Sequence, residues 1–406
     1  MNGRGKPPLD GIRVLDFTHT LSGSTCTVVL AAMGAEVLKV EHRARAERGE
    51  SMRVDRMRPW TVSRVAHVFV STNYNKRGIT LDFTRPEAIA IIKKLVGLCQ
   101  VVAESFPPGR MEKYGIGYKD LKEIKPDIVM ISMSGHGSTG PESSYRGYAG
   151  IYAALAGLSE LVGYSDSPPT DTRSSADFRA GLYGALSVLC ALVYWQRTGK
   201  GQHIDFSQRE ANIMAVPDAI MDYTMNGRNQ RRAGNRDSIM APHNCYRCRG
   251  HDRWISIAVG NDEEWKALCK VMGDPEWAKD EKFSDPFLRW LNQEELDRLI
   301  ETWTVNYDCL ELMKILQEAG VAAMPSFNTK DLAEDPHLKE RKAFSLLEHP
   351  KFGKYYVLSP PWRLSDTPVE ATKCFPDIGE DNRYVLGELL GMSDEEIEEL
   401  RERGVI

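Results

Sequence analysis

Short apolar runs alternate with helical stretches through the first third of this chain, and that alternation narrows its architecture more than any other feature. Ile12 to Phe17 reads as a strand, Thr25 to Met33 as a helix ending at Gly34, and Val37 to Val40 as a second strand. Ile79 to Leu81 follows as a third. Thr84 is placed to cap a helix that begins near Pro86, with Ile89, Ile92 and Leu95 on one stripe. Val101-Val102-Ala103 and Ile128 to Ser132 complete the set of strands. Strands in alternation with helices bury both faces of a parallel sheet, so the expected fold class is α/β.

A dinucleotide-binding enzyme is the first function such a fold suggests. The turn after the first strand, Asp16-Phe17-Thr18-His19-Thr20-Leu21-Ser22-Gly23, lacks the glycine triad that lets a pyrophosphate approach the backbone. No phosphate-binding loop of the Gly-Lys-Ser/Thr type occurs either.

At 406 residues, 42% of them hydrophobic, the chain can bury more than one core. Its net charge of −5 gives no global field for nucleic acid, so an anionic ligand needs a local basic patch. Cysteines at 26, 99, 190, 245, 248, 269, 309 and 374 lack framework spacing, and Cys245-Tyr246-Arg247-Cys248 lacks a second pair, so no metal site is expected. No apolar run reaches the length of a membrane span, and Met1 to Pro8 has no signal-peptide core, which suggests a cytoplasmic protein.

Residues 1–215 are expected to supply the N-terminal part of a large domain, 216–234 a linker, 235–325 a small α+β domain, and 326–406 a linker with the C-terminal part of the large domain. The small domain shows a strand at Trp254 to Val259 and helices at Glu263 to Met272, Leu296 to Trp303 and Leu310 to Glu318. Ser393, with Glu395 and Glu396 behind it, caps a last helix.

Asp177 precedes a long apolar helix in which Leu182, Leu186, Leu189 and Val193, with Ala185 and Leu192, recur at helical spacing until Thr198-Gly199-Lys200-Gly201. A carboxylate at that place is either a helix cap or a nucleophile.

Several ordered motifs now bear on the choice: Leu9 to Phe17, Gly34 to Glu41, Asn73-Tyr74-Asn75-Lys76-Arg77-Gly78, Glu104 to Gly109, Ser134-Gly135-His136-Gly137 with Thr139-Gly140-Pro141, the Asp177 segment, Thr198 to Gln202 and Leu400 to Ile406. Together they resemble the family III CoA-transferases, among them formyl-CoA transferase and carnitine CoA-transferase, over essentially the whole chain. The resemblance implies a Rossmann-like large domain, a smaller α+β domain and an interlocked dimer. It also implies a reaction without metal or redox cofactor, with CoA thioesters and carboxylic acids as substrates.

In that family the aspartate matching Asp177 attacks an acyl-CoA, giving a mixed anhydride and then an aspartyl-CoA thioester, from which an acceptor carboxylate takes the CoA. Asp is ionised at neutral pH, so it needs no general base; it needs exclusion of water and donors for the oxyanion. A glycine-rich lid found in some members is reduced here to Ala233-Gly234-Asn235 and Ser238 to Pro242.

By motif position the resemblance assigns CoA binding to His19, Leu21, Ser22, Asn73, Asn75, Lys76, Arg77, Ser105, Phe106, Arg146, Tyr148 and Ala149. Lys113 stands where many members carry arginine, and His42 where formyl-CoA transferase does, with Arg43 beside it as a substitute. Each has a plainer role available: His19 as a cap, Lys76 and Arg77 in a solvated turn, Tyr148 in packing. Arg43, Arg45, Arg48, Arg53, Arg56 and Arg58 form a basic loop in an acidic chain, either solvated or suited to CoA phosphate or a dicarboxylate.

The related α-methylacyl-CoA racemases pair the aspartate with a histidine, where this chain has Tyr148, a poor proton partner at neutral pH. A further alternative is a non-catalytic subunit of a heteromer, against which the presence of Asp177 stands. The expected donor is succinyl-CoA and the expected acceptor a dicarboxylate such as a substituted or aromatic succinate, acting in a homodimer or a heteromer with a related subunit, away from nucleic acid and membranes.

Overall fold

The computed structural model describes residues 5–47, 67–170 and 173–406, so Arg48, Arg53, Arg56 and Arg58 lie outside the described residues. The chain divides into two compact units, residues 1–158, 171–221 and 337–406 forming the first and 159–170 with 222–336 the second.

The first unit is built on six strands: β1 (Arg13–Phe17), β2 (Glu36–Glu41), β3 (Arg77–Thr80), β4 (Val101–Glu104), β5 (Val129–Ser134) and β6 (His203–Ser207). Their order is β3-β2-β1-β4-β5-β6, every pair parallel. Period-two side-chain alternation divides the strand residues between two cores. Leu15, Leu38, Ile79, Val102 and Met130 pack with Ile92 and Leu95 of helix Pro86–Leu98, while Val14, Val37, Val101, Val129 and Ile131 pack with Cys26 and Leu30 of helix Thr20–Ala32 and with Ala185, Val188 and Leu192 of helix Arg173–Thr198. Each such Val or Leu taken out of water contributes about 1.5–3 kcal/mol.

Local starts differ from expectation. Helix Pro86–Leu98 has Arg85 at its N-cap, because Thr84 donates its hydroxyl to Asp82 at 2.6 Å instead. The first helix begins at Thr20, five residues before the expected start, with polar Ser22, Ser24 and Thr25 buried. Asp177 lies in the second turn of the long helix rather than at its cap. The expected stripe of that helix holds only in part: Leu182, Leu186 and Val193 face outward, while Ala185, Leu189 and Leu192 pack inward together with Ala176, Ala180, Val188 and Ala191. Close approach of the first helix selects small residues on the inner face; a Cβ on Gly181 would stand 2.7 Å from the Ser22 carbonyl oxygen.

An 18-residue stretch within Ser175–Thr198 has a mean hydropathy of 1.4, so among the described residues one helix is long and apolar enough to cross a bilayer, which no run was expected to be. Its inner face packs on the sheet of the first unit.

The C-terminal segment completes this unit. Asp381 accepts from Gly78 N at 2.8 Å and from Arg77 at 3.0 Å, Asn382 accepts from Thr80 N at 2.9 Å, and Val405 and Ile406 are buried beside β3 and helix Pro86–Leu98. A hairpin of β10 (Phe344–His349) and β11 (Gly353–Leu358) precedes it, and the last helix carries a Ser393–Glu396 capping box.

The second unit has an antiparallel sheet ordered β7 (His243–Arg247), β8 (Trp254–Ala258), β9 (Ala322–Pro325). Helices Asp262–Val271, Gln293–Thr304 and Cys309–Glu318 cover it through Leu268, Leu296, Ile300, Leu312 and Leu316. The expected linker contains a helix, Pro217–Asn226. All eight cysteines are free, and among the described residues no three metal-ligating side chains cluster.

Candidate functional site

The carboxyl end of β1 carries a buried charge centre. Asp16 Oδ1 accepts from Thr18 N at 2.8 Å and from its hydroxyl at 2.6 Å, and Oδ2 accepts from Thr27 at 2.8 Å and Lys76 Nζ at 3.1 Å. Lys39, 4.0 Å away, donates to the Thr18 carbonyl. Burial alone raises the Asp16 carboxyl, but Lys39, Lys76 and Thr18 outweigh it and hold the group at about 2.

Above this centre lies a cavity of about 190 Å³ lined by Thr18, His19, Thr20, Lys39, Glu41, His42, Arg45, Asn73 and Phe83 among others. It opens at the carboxyl ends of β1 and β2, where parallel α/β sheets receive ligands. Thr20 holds a φ of +56°, a left-handed angle rare for a β-branched residue. His19 occupies the N-cap position without a side-chain cap bond; its N–H donates to Ser105 Oγ at 2.8 Å and its ring meets Phe106 edge-on at 4.5 Å. Burial, then the charges of Lys39, Arg45 and Arg110, push His19 down to about 3, so its imidazole is neutral.

Of the residues assigned by motif, His19, His42 and Asn73 line this cavity. Ser105 and Phe106 back His19, while Leu21 and Ser22 lie on the first helix and Arg43 opens a short helix, Arg43–Glu47. Asn75, Lys76 and Arg77 serve the fold. Asn75 Oδ1 accepts from Thr372 N and Lys373 N, each at 2.8 Å; Lys76 is fully buried against Asp16; Arg77 pairs with Glu36 and Asp381 and stacks on Tyr384 at 3.9 Å. Lys113 and Arg146 are exposed, and Tyr148 is 81% exposed at the start of helix Ala149–Leu155, so it fills no core.

Asp177 forms a second locus. Gln208, the first residue of helix Gln208–Ile213 at the end of β6, donates its side-chain amide to Asp177 Oδ1. Asn212 braces the pair, donating to Gln208 O at 2.8 Å and Ala176 O at 3.4 Å while accepting from Arg179 at 2.9 Å. Burial raises the Asp177 carboxyl above its ordinary range, and the Gln208 bond opposes that rise. Tyr152 lies close enough for the Asp177 charge to add to the burial that raises its hydroxyl. Its ring is seated on Gly147, where a Cβ would come within 2.8 Å. Ser134 Oγ and His136 Nδ1, at the end of β5, are buried without hydrogen-bond partners.

The arrangement offers a half-buried carboxylate with one oxygen held by an amide. Gln208 and Tyr152 escaped sequence reasoning because their partner lies more than twenty residues away along the chain. Lys39 was within reach of it, since alternation along Val37 to Glu41 sets Lys39 on the same face as Glu41.

Residues 9–382 match the family model CoA-transferase family III. The succinyl-CoA–D-citramalate CoA-transferase of Chloroflexus aurantiacus is 34% identical over 403 residues, covering 98% of each chain. The succinyl-CoA–L-malate CoA-transferase alpha subunit of Chloroflexus aurantiacus is 32% identical over 410 residues, covering 100% of this chain and 94% of that one. A crystal structure of a CAIB/BAIF family protein from Brucella suis superposes with a TM-score of 0.86 at 30% identity, covering 95% of this chain and 100% of that one.

Proposed function

This chain is an enzyme of CoA-transferase family III, and on that premise we propose that it moves CoA from succinyl-CoA to a dicarboxylic acid acceptor, a substituted succinate, with Asp177 as the nucleophile. The observation that carries the proposal is the setting of Asp177: half-buried and, among the described residues, with a single amide on Oδ1 and no basic side chain paired with it. An ionised carboxylate in that state attacks a thioester without a base, and partial burial limits hydrolysis of the anhydride. Succinyl-CoA donates in both relatives described above, and malate and citramalate are both hydroxylated succinates.

CoA is assigned to the cavity beside β1, where Lys39, His42 and Arg45 supply donors to phosphate, neutral His19 with Phe106 supplies an aromatic wall, and Asn73 a polar edge. Ser105, which accepts from His19 N, holds that wall from behind, and Leu21, Ser22 and Arg43 are assigned to CoA by their motif positions.

The outward apolar faces of the long helix (Phe178, Leu182, Leu186) and of helix Ala149–Leu155 (Ile151, Leu155) belong to a dimer interface, interlocked as in the family. We place the enzyme in the cytoplasm, in keeping with eight free thiols.

A screen of CoA donors against mono- and dicarboxylic acids, read by mass spectrometry of the thioesters, tests the substrate assignment. Turnover of succinyl-CoA with hydroxysuccinates is expected; turnover of monocarboxylates alone would overturn it. Light scattering on the protein expressed alone is expected to give a dimer, and a monomer that dimerises only with a second chain would show a heteromer.

A further inference from the structure

Gln208 is the one polar side chain hydrogen-bonded to Asp177 among the described residues, and it holds one of the two carboxylate oxygens. An ionised carboxylate only accepts, so the amide nitrogen is the atom that faces Oδ1. Gln208 is itself fixed: it is buried, it follows Ser207, which caps the helix by accepting from Glu210 N at 3.2 Å, and its carbonyl is tied to Asn212. The two carboxylate oxygens are therefore not equivalent.

We propose that Gln208 Nε2 is the oxyanion donor for the steps in which the Asp177 carboxyl carbon is attacked, and that it keeps Oδ1 in place while Oδ2 is exchanged in each turnover. The proposal rests on the nucleophilic role given to Asp177. Oδ2 attacks the thioester carbonyl, the C–S bond breaks, and CoA leaves as thiolate. In the resulting anhydride Oδ2 is the bridging oxygen and Oδ1 the carbonyl oxygen, still bonded to Gln208. The thiolate then attacks Cγ; the electron pair moves onto Oδ1, where the amide N–H meets the developing charge, and the Cγ–Oδ2 bond breaks.

The departing acid thus carries Oδ2 away. An incoming carboxylate attacks Cγ of the aspartyl-CoA thioester, charge again develops on Oδ1, and the C–S bond breaks. CoA thiolate finally attacks the carbonyl of the new acyl group, leaving the bridging oxygen on Asp177. One aspartate oxygen comes from the acceptor in each cycle, and the other stays. A donor of this kind contributes on the order of 10²–10³ in kcat when it serves the slow step.

The test uses succinyl-CoA with succinate labelled by oxygen-18 in both carboxyl groups, many turnovers, and mass spectrometry of the peptide carrying Asp177. The intact enzyme is expected to gain one heavy oxygen at Asp177. Gln208→Leu is expected to gain two, because the unheld carboxylate rotates between turnovers, and to lose roughly 10²–10³-fold in kcat with little change in KM for succinyl-CoA.

Gln208→Glu serves as a second variant should the leucine disturb folding, with equal melting temperatures as the check. Its carboxylate cannot donate when ionised, so its activity is expected to fall as pH rises, where that of the intact enzyme does not. Two heavy oxygens in the intact enzyme, or one in Gln208→Leu, overturns the proposal while leaving Asp177 the nucleophile. No heavy oxygen at Asp177 during turnover overturns the nucleophilic role and the proposal with it.

Discussion

Gly181 approaches Thr25 so closely that a Cβ placed on it would stand 2.5 Å from the Thr25 Cβ. The contact lies where the first and the long helix cross, one turn beyond Asp177, and it sets how near the two backbones come. Gly181→Ala must push the helices apart, since the atoms it meets are a β-carbon and the Ser22 backbone. Urea melts are expected to show a loss of about 1–3 kcal/mol, and steady-state kinetics a fall in kcat larger than the change in KM. Unchanged stability would show that the crossing has slack.

Lys76 separates a structural from a ligand-binding use of the Asn73–Gly78 motif. Its amine is fully buried against Asp16, so removing the cation strands a carboxylate in the interior. Lys76→Met is expected to cost about 3–5 kcal/mol of stability. Isothermal titration with CoA on the fraction that remains folded should give a Kd within about threefold of the intact protein, a difference of roughly 0.7 kcal/mol. A large loss of affinity at unchanged stability would return Lys76 to the ligand.

Glu104 makes stability depend on pH. Burial raises its carboxyl to about 7 against an ordinary 4.5, with bonds from Ser132 and Phe106 opposing the rise. Its folded value lies above its unfolded one, so stability is full below about pH 4.5 and falls as pH climbs to about 7, by about 3 kcal/mol in all. Glu104→Gln keeps an acceptor for Phe106 N and is expected to flatten that decline in denaturant melts run from pH 4.5 to 8. A decline of equal size in the variant would assign it to other groups.

Asp177 has a raised carboxyl, so protonation removes the nucleophile at a higher pH than for an ordinary aspartate. The acidic limb of kcat/KM is expected to lie above the usual carboxylate range, and Asp177→Ala to abolish turnover while CoA still binds. Incubation with an acyl-CoA in deuterium oxide, without acceptor acid, is expected to leave the α-carbon unlabelled. Deuterium uptake there would replace transfer with acid–base chemistry.

Five strands of the large sheet were legible because their residues are buried on both faces and read as short, mainly apolar runs, interrupted at Asp16 and Lys39. β6 was not: in His203–Ser207 only the last residue is buried, so it carries no such run. The long helix misled in another way. Leu182, Leu186 and Val193 point outward while Ala176, Ala180, Ala185 and Ala191 share the inner face with Val188 and Leu192, because close helix packing favours small residues there. Asp177 itself was legible by motif. Its partner Gln208 was not, since no local pattern links two residues joined only by the return of the chain through β6.

Residues of β3 donate hydrogen bonds to Asp381 and Asn382, some 303 positions later in the chain, and Val405 and Ile406 fill the layer beside them. On the ribosome, the large sheet is therefore left open at this edge until Val405 and Ile406 have been made. The inserted second unit, with its own core, is synthesised whole before that moment and can fold first, reversing the N-to-C order in which domains usually mature. Nascent chains stalled short of residue 381 should thus carry a folded inserted unit beside an exposed sheet edge, and it is those chains that a ribosome-bound chaperone would have to hold.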